Sequence, residues 1–199
     1  MAKKKAKKKK SPKKIKLSKS SMMYLSLGSN IGDREEYIEQ AIFLVSKIPG
    51  VSVVKRASNY ETEPEGGPEQ PHFINTAISI KTALSPQKLF EGLQEIETTL
   101  GREKEVEWGP RTIDIDILLI EGQIVSDDKL QVPHQRLHER MFVLKPLREI
   151  APDLVHPVLE KTVEALYQEK ITESNTTYDD DLPGFKEIKS GGLDDFEKW

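Results

Sequence analysis

The chain predicts an α+β fold: a ferredoxin-like β-α-β-β-α-β sandwich, an antiparallel sheet with helices on one face, followed by C-terminal helical additions. Three observations carry this. The apolar pattern switches between a strand period and a helix period in that order. Glycine and proline punctuate each switch. The length, 199 residues, suits one domain with tails on a prior of roughly 100–200 residues per domain.

Each element has a local reason. Residues 22–27 form a short apolar run stopped by Gly28-Ser29-Asn30, which reads as a buried strand. Asp33, with Glu36 three residues on, is placed to cap a helix carrying Ile38, Ala41, Ile42, Val45 and Ile48 at helical spacing. Pro49-Gly50 ends it, and residues 51–60 read as a second strand. The stretch 63–71, with Gly66-Gly67-Pro68, is a loop, and 73–82 alternates as a third strand. Ser85-Pro86 supplies a cap and a proline at a helix start, ahead of Leu89, Leu93, Ile96 and Leu100 on one face. After a charged loop, residues 112–120 are the clearest strand of the sequence. Beyond it, 140–150 and a segment near 159–167 read as helices among proline-rich turns.

Charge divides the chain into three parts: a tail at 1–21, a domain at 22–168 and an acidic extension at 169–199. The net charge of −3 hides eleven lysines and no acid in residues 1–20, against 33 Asp+Glu in the whole chain. Such a lysine run repels itself and buries nothing, so it reads as a disordered tail whose only expected partner is a weak, salt-sensitive contact with nucleic acid. In the acidic extension, Phe185, Ile188, Phe196 and Trp199 are the side chains available to dock onto the body. No stretch approaches 18 consecutive apolar residues, which excludes a transmembrane helix. There is no cysteine, which excludes disulfides, thiolate metal sites and a cysteine nucleophile. With no secretory signal pattern, the expected location is the cytoplasm.

The chemistry concentrates in 112–120. Side chains alternate along a strand, so Asp114 and Asp116 project from one face while Ile113, Ile115 and Ile117 pack on the other. Two carboxylates about 7 Å apart on a ~3.3 Å rise can share hard cations; without one, each raises the other's pKa. The alternative is an edge strand with a solvated acidic face. Arg102, Lys104 and Arg111 lie immediately upstream, and Pro133-His134 and Arg140 follow. Cations beside paired acids are what a magnesium-held polyphosphate requires. The chain has neither a G-x-x-x-x-G-K-[ST] phosphate loop nor a kinase-type glycine-rich strand, so phosphoryl transfer by neither common class is indicated.

A wider set of motifs then falls into one order. These are Gly28-Ser29-Asn30; Tyr60-Glu61-Thr62; Gln70-Pro71-x-Phe73-x-Asn75; Gly101-Arg102; Trp108-Gly109-Pro110-Arg111-Thr112-x-Asp114-x-Asp116; Val132-Pro133-His134; and Arg140-x-Phe142. Over residues 22–168 the sequence resembles the 6-hydroxymethyl-7,8-dihydropterin pyrophosphokinases of folate biosynthesis. The resemblance implies transfer of the pyrophosphate of ATP to the pterin hydroxymethyl group, releasing AMP. By the same resemblance Asp114 and Asp116 hold two Mg²⁺ ions, and Arg102 and Arg111 neutralise the phosphates. Phe73 and Phe142 sandwich the pterin, Asn75 reads its edge and Thr62 lines the same pocket. Trp108 closes over the site, and Gln94, Glu97, Lys104, Lys129, His134 and Arg140 line the nucleotide side. ATP and the pterin are then the small-molecule partners, with functional coupling to dihydropteroate synthase and no membrane partner.

Departures from the family pattern are confined to loops. Glu63 and Glu65 are acidic where proline and leucine are frequent, Lys104 replaces an arginine, and Gln135 replaces an aromatic. Two other classes compete. An RNA-binding sheet lacks its aromatic signature here, and the body between the tails is acidic. A magnesium-dependent nucleotidyltransferase also uses paired strand aspartates but releases pyrophosphate.

Overall fold

A computed structural model describes residues 20–102, 109–173 and 185–188. The lysine tail, Lys104, Trp108, Phe196 and Trp199 lie outside these residues.

The principal elements are β1 (Ser21–Ser29), α1 (Arg34–Lys47), β2 (Val51–Arg56), β3 (Asn59–Thr62), β4 (Phe73–Thr82), α2 (Pro86–Thr99) and β5 (Asp114–Ile120). They are followed by the hairpin β6 (Val125–Ser126) and β7 (Gln131–Val132), a 3-10 turn at Leu137–Glu139, and α3 (Met141–Ile150). A second hairpin, β8 (Val155–His156) with β9 (Lys161–Thr162), leads into α4 (Val163–Glu173), and β10 (Phe185–Ile188) comes last. The main sheet runs β10-β3-β4-β1-β5, with β2 also along β4 and every pairing antiparallel. With β2 and β3 taken as one interrupted strand, this is the ferredoxin-like order that the sequence predicts.

The expected caps form. Asp33 Oδ1 accepts from the Glu36 N–H at 3.1 Å, and Ser85 Oγ from the Lys88 N–H at 3.3 Å with Pro86 opening α2. The strand expected at 51–60 is broken at Ala57-Ser58. There Ala57 still reaches the Ala77 carbonyl, but the Ser58 N–H and hydroxyl turn to the Glu149 carboxylate on α3. The last helix starts at Val163 rather than near 159, because the β8–β9 hairpin takes up the intervening residues, and residue 168 falls inside it.

Two cores sandwich the sheet. Met23, Leu25, Leu27, Ile78, Ile80, Ile113, Ile115 and Ile117 pack with Ile38, Ile42, Leu89 and Leu93 of α1 and α2. Ala77, Leu118 and Leu119 pack on the opposite face with Leu144 and Leu147 of α3 and Leu166 and Tyr167 of α4. Burying an isoleucine is worth about 1.5–3 kcal/mol, so Ile113, Ile115 and Ile117 decide which way β5 faces. Asp114 and Asp116 are thereby delivered to the α3 side. A bulge opposite Tyr24/Leu25 then resets the alternation, pairing Leu25 with Ile117 but Tyr24 with Leu119.

Candidate active site

On the α3 side, at the end of the sheet where β1 and β3 finish and β4 and β5 begin, lies a cavity of about 610 Å³. One wall presents the uncharged Gly28, Thr62, Phe73 and Asn75, and Glu63 and Glu65 line the cavity too. Gly28 pairs with Asn75 of β4 and Asp114 of β5, and Thr62 pairs with Phe73. The buried Asn75 donates from Nδ2 to Thr62 Oγ1 at 2.7 Å. A Cβ at position 28 would stand 2.8 Å from Asn75 Oδ1, so glycine is what lets the amide occupy this place. Phe73 and Phe142 both line the cavity, and no ring contact joins them. Both rings are half-buried.

The other wall is charged. Asp114 ion-pairs through one carboxylate oxygen with Arg102 Nη1 at 2.7 Å and accepts on the other from Arg111 Nη1 at 2.6 Å. Glu97 reaches in from α2. It accepts the Ile115 N–H at 2.7 Å and ion-pairs with Arg102, so one buried carboxylate ties the head of β5 to the arginine. Burial pushes the Glu97 carboxyl above its ordinary range against the pull of Arg102. Asp116, opposite Ser26, has neither an ion pair nor a hydrogen bond among the described residues. Desolvation, reinforced by the charges of Asp114 and Glu97, raises it to about 7.

Two residues complete this wall. Arg140, just before α3, places its guanidinium 5.5 Å from the Phe142 ring and keeps a buried Nε without a partner. His134 is pushed down to about 4, by desolvation first and then by Arg140 and Arg136, and is therefore neutral near pH 7. Its Nδ1 accepts the Arg136 N–H at 3.3 Å, which leaves Nε2 to carry the proton.

Of the expected site residues, the cavity lining includes Thr62, Phe73, Asn75, Arg102, Arg111, Asp114, Asp116, His134, Arg140 and Phe142. Glu97 stands behind that lining. Gln94 is exposed on α2, and Lys129 is exposed in the β6–β7 turn with its N–H on Asp127, both away from the lining. Asn30, quoted within a motif but given no role, proves central. Its Oδ1 accepts the Arg111 N–H at 2.7 Å while its Nδ2 donates to Gln70 Oε1 and the Pro71 carbonyl. A polar residue in a turn, 1% exposed, is the signal that finds it, and only burial reveals it.

No group of three or more His, Asp or Glu side chains that could hold a metal occurs among the described residues. The carboxylate pair of Asp114 and the unpartnered Asp116 nevertheless suits Mg²⁺, which takes one or two carboxylates and completes its shell with phosphate oxygens and water. The orphaned Arg140 donor on the same wall suits an anion. One cavity thus brings together an acid pair, three guanidinium groups, two phenylalanine rings and a buried amide.

Known proteins agree. The sequence model described as 7,8-dihydro-6-hydroxymethylpterin-pyrophosphokinase (HPPK) matches residues 24–152. The 2-amino-4-hydroxy-6-hydroxymethyldihydropteridine pyrophosphokinase of Bacillus subtilis is 50% identical over 131 residues, covering 66% of this chain and 78% of that protein. The protein of the same name from Methylorubrum extorquens is 50% identical over 132 residues, covering 66% and 84%. A crystal structure of wild-type HPPK-DHPS from Plasmodium falciparum superposes with a TM-score of 0.70 at 18% identity, over 87% of this chain and 48% of that one. The chain thus spans about half the length of that fused protein and shares its fold. It belongs to the 7,8-dihydro-6-hydroxymethylpterin-pyrophosphokinase family.

Proposed function

We propose that this chain transfers the pyrophosphoryl group of ATP to the hydroxymethyl oxygen of 6-hydroxymethyl-7,8-dihydropterin and releases AMP, in folate biosynthesis. The observation that carries this reading is the union of the two walls in one cavity: Asp114 and Asp116 with Arg102, Arg111 and Arg140 on one side, Asn75, Phe73 and Phe142 on the other. Asp114 and Asp116 would hold Mg²⁺, two ions on the family pattern, which when bound neutralises the phosphates. The new bond joins the pterin oxygen to the β-phosphorus. The bond from that phosphorus to the α,β-bridging oxygen breaks, and AMP leaves with that oxygen.

The residues of the chain supply alignment and charge. Phe73 and Phe142 stack the flat ring system in offset geometry, and the Asn75 amide offers the donor and acceptor that a pterin edge requires. Arg102 and Arg111, which pair with Asp114, would neutralise phosphate oxygens held beside the aspartates. His134, neutral near pH 7, donates a hydrogen bond without adding charge. The alcohol proton needs no dedicated base in a loose transition state, where positioning dominates. Cytoplasmic location and coupling to dihydropteroate synthase belong to the same proposal.

Product analysis tests it. The protein is incubated with ATP, Mg²⁺ and the pterin, and the nucleotides are resolved by chromatography. Pterin-dependent AMP is the expected result. ADP would indicate an ordinary kinase, and free pyrophosphate a nucleotidyltransferase; either overturns the proposal.

A further inference from the structure

Outside the span matched by the family, one segment returns to the site. Strand β10 pairs with all four residues of β3, with Phe185 opposite Thr62, Lys186 opposite Glu61, Glu187 opposite Tyr60 and Ile188 opposite Asn59. Thr62 is the residue on which the cavity amide Asn75 rests, and the loop 63–72 begins immediately after it.

The two ends of that loop are held differently. Its far end is fixed from α1 and the β1 turn: Arg34 donates to the His72 carbonyl at 2.8 Å, and Asn30 holds Gln70 and Pro71. Its near end emerges from a four-residue strand joined to β4 by three register pairs, Tyr60 to Asn75, Glu61 to Ile74 and Thr62 to Phe73, with side-chain anchors from Arg34 to Glu61 at 2.8 Å and from Tyr60 to Glu149 at 3.0 Å. A strand that short, left at a sheet edge, frays readily. β10 turns β3 into an interior strand. Its two apolar side chains are three positions apart and therefore grip opposite faces: Phe185 packs against the core beneath α3, and Ile188 against the core beneath α1 and α2.

We propose that β10 is a positioning element for the pterin half of the site, holding β3 and thereby Thr62, Asn75 and the start of loop 63–72 in binding geometry. Phe185 and Ile188 are its positioning residues; neither lines the cavity. This rests on the pyrophosphokinase reading for its substrate, but the clamp itself is a structural claim that can be read without turnover. Because β10 pairs with β3, at the opposite end of the sheet order from β5 and its aspartates, releasing it acts on the pterin and spares the nucleotide.

The test uses the full-length chain carrying Phe185→Ser and Ile188→Ser together. The expected result is a KM for the pterin raised about tenfold, with kcat and the KM for ATP within twofold of the parent. Amide exchange should quicken across 59–72 and stay unchanged at 114–120. Exchange that quickens with an unchanged pterin KM overturns the positioning role, as does an equal rise in both KM values. Unchanged exchange at 59–72 overturns the clamp. A second variant guards against simple loss of folding. With no native cysteine in the chain, Glu61→Cys with Lys186→Cys places a single thiol pair across the β3–β10 ladder. In the Phe185→Ser background, oxidation of that pair should restore pterin affinity and reduction should remove it; equal affinity in both states counts against the proposal. Should the parent produce no pterin-dependent AMP, the reading of the substrate fails, while the exchange data still decide whether β10 holds β3.

Discussion

The two walls of the cavity solve the same problem, buried polarity, in opposite ways. On the wall proposed for the pterin, Asn75 and Thr62 satisfy each other as a neutral pair, and the shape is set by the missing Cβ of Gly28. On the phosphate wall Arg102 and Arg111 are spent on Asp114, Glu97 restrains Arg102, and Asp116 and the Arg140 Nε are left without partners. The first arrangement is finished before substrate arrives. The second is a provisional balance of charges that binding must exchange, since a buried charge without a partner is costly. A rigid half-site beside an exchangeable one is what transfer between two unlike substrates calls for.

The largest break in that contrast should come from Asp116→Ala, which removes a carboxylate that no structural bond uses. Turnover should fall on the order of 10³-fold, as when a transition-state charge partner is lost, while circular dichroism stays that of the parent and the melting temperature does not fall. A rate near the parental value would remove Asp116 from the mechanism.

Asp116 also sets a pH dependence. Desolvation and the charges of Asp114 and Glu97 raise its carboxyl to about 7, above the usual value near 3.9 for a free chain. Between those values the folded state binds more protons than the unfolded one, so through this group metal-free stability falls as pH rises. Mg²⁺ requires the ionised form, so its affinity should weaken about tenfold per unit below pH 7. The thermal shift produced by Mg²⁺ should accordingly be larger at pH 8 than at pH 6. An equal shift at both would mean that this carboxylate is not a ligand.

On the neutral wall, Phe142→Ala should weaken pterin binding about tenfold, the worth of roughly 1–1.5 kcal/mol of stacking, and leave ATP binding within twofold by calorimetry. Equal losses for both ligands would make the ring structural. Gly28→Ala should act on the same ligand, severalfold, by displacing the Asn75 amide. The smallest effect is expected from Glu97→Gln, a few-fold loss of kcat from a looser Arg102, with pterin affinity unchanged.

Much of this architecture is legible in the sequence alone. Alternation places β1, β4 and β5 to within two residues, and Asp33 and Ser85 announce their helices, because those signals are local. The interruption at Ala57-Ser58 is not legible, since its cause is Glu149, more than ninety residues away in sequence. The dual bonding of Asn30 depends likewise on chain crossings that no window contains. Phe185 and Ile188 stand out as apolar side chains in an acidic stretch, but four residues carry no register. Glu97 is readable as a buried carboxylate on an apolar helix face. Its partner, a strand N–H, is not.

The bulge in β5 gives one strand two independent halves. Unbroken alternation would put Leu119 on the same side as Ile115 and Ile117; one extra residue sends Leu118 and Leu119 together toward α3 and returns Ile120 to the first core. The aspartate end of the strand is thus uncoupled in parity from its packing end. Substitutions that refit α3 against Leu118 and Leu119 leave the aspartates facing the cavity, whereas pairing the same residues in unbroken alternation would force one half or the other onto the wrong side. The strand behaves like a hinged rail whose two segments evolution can adjust separately, provided the joint is kept.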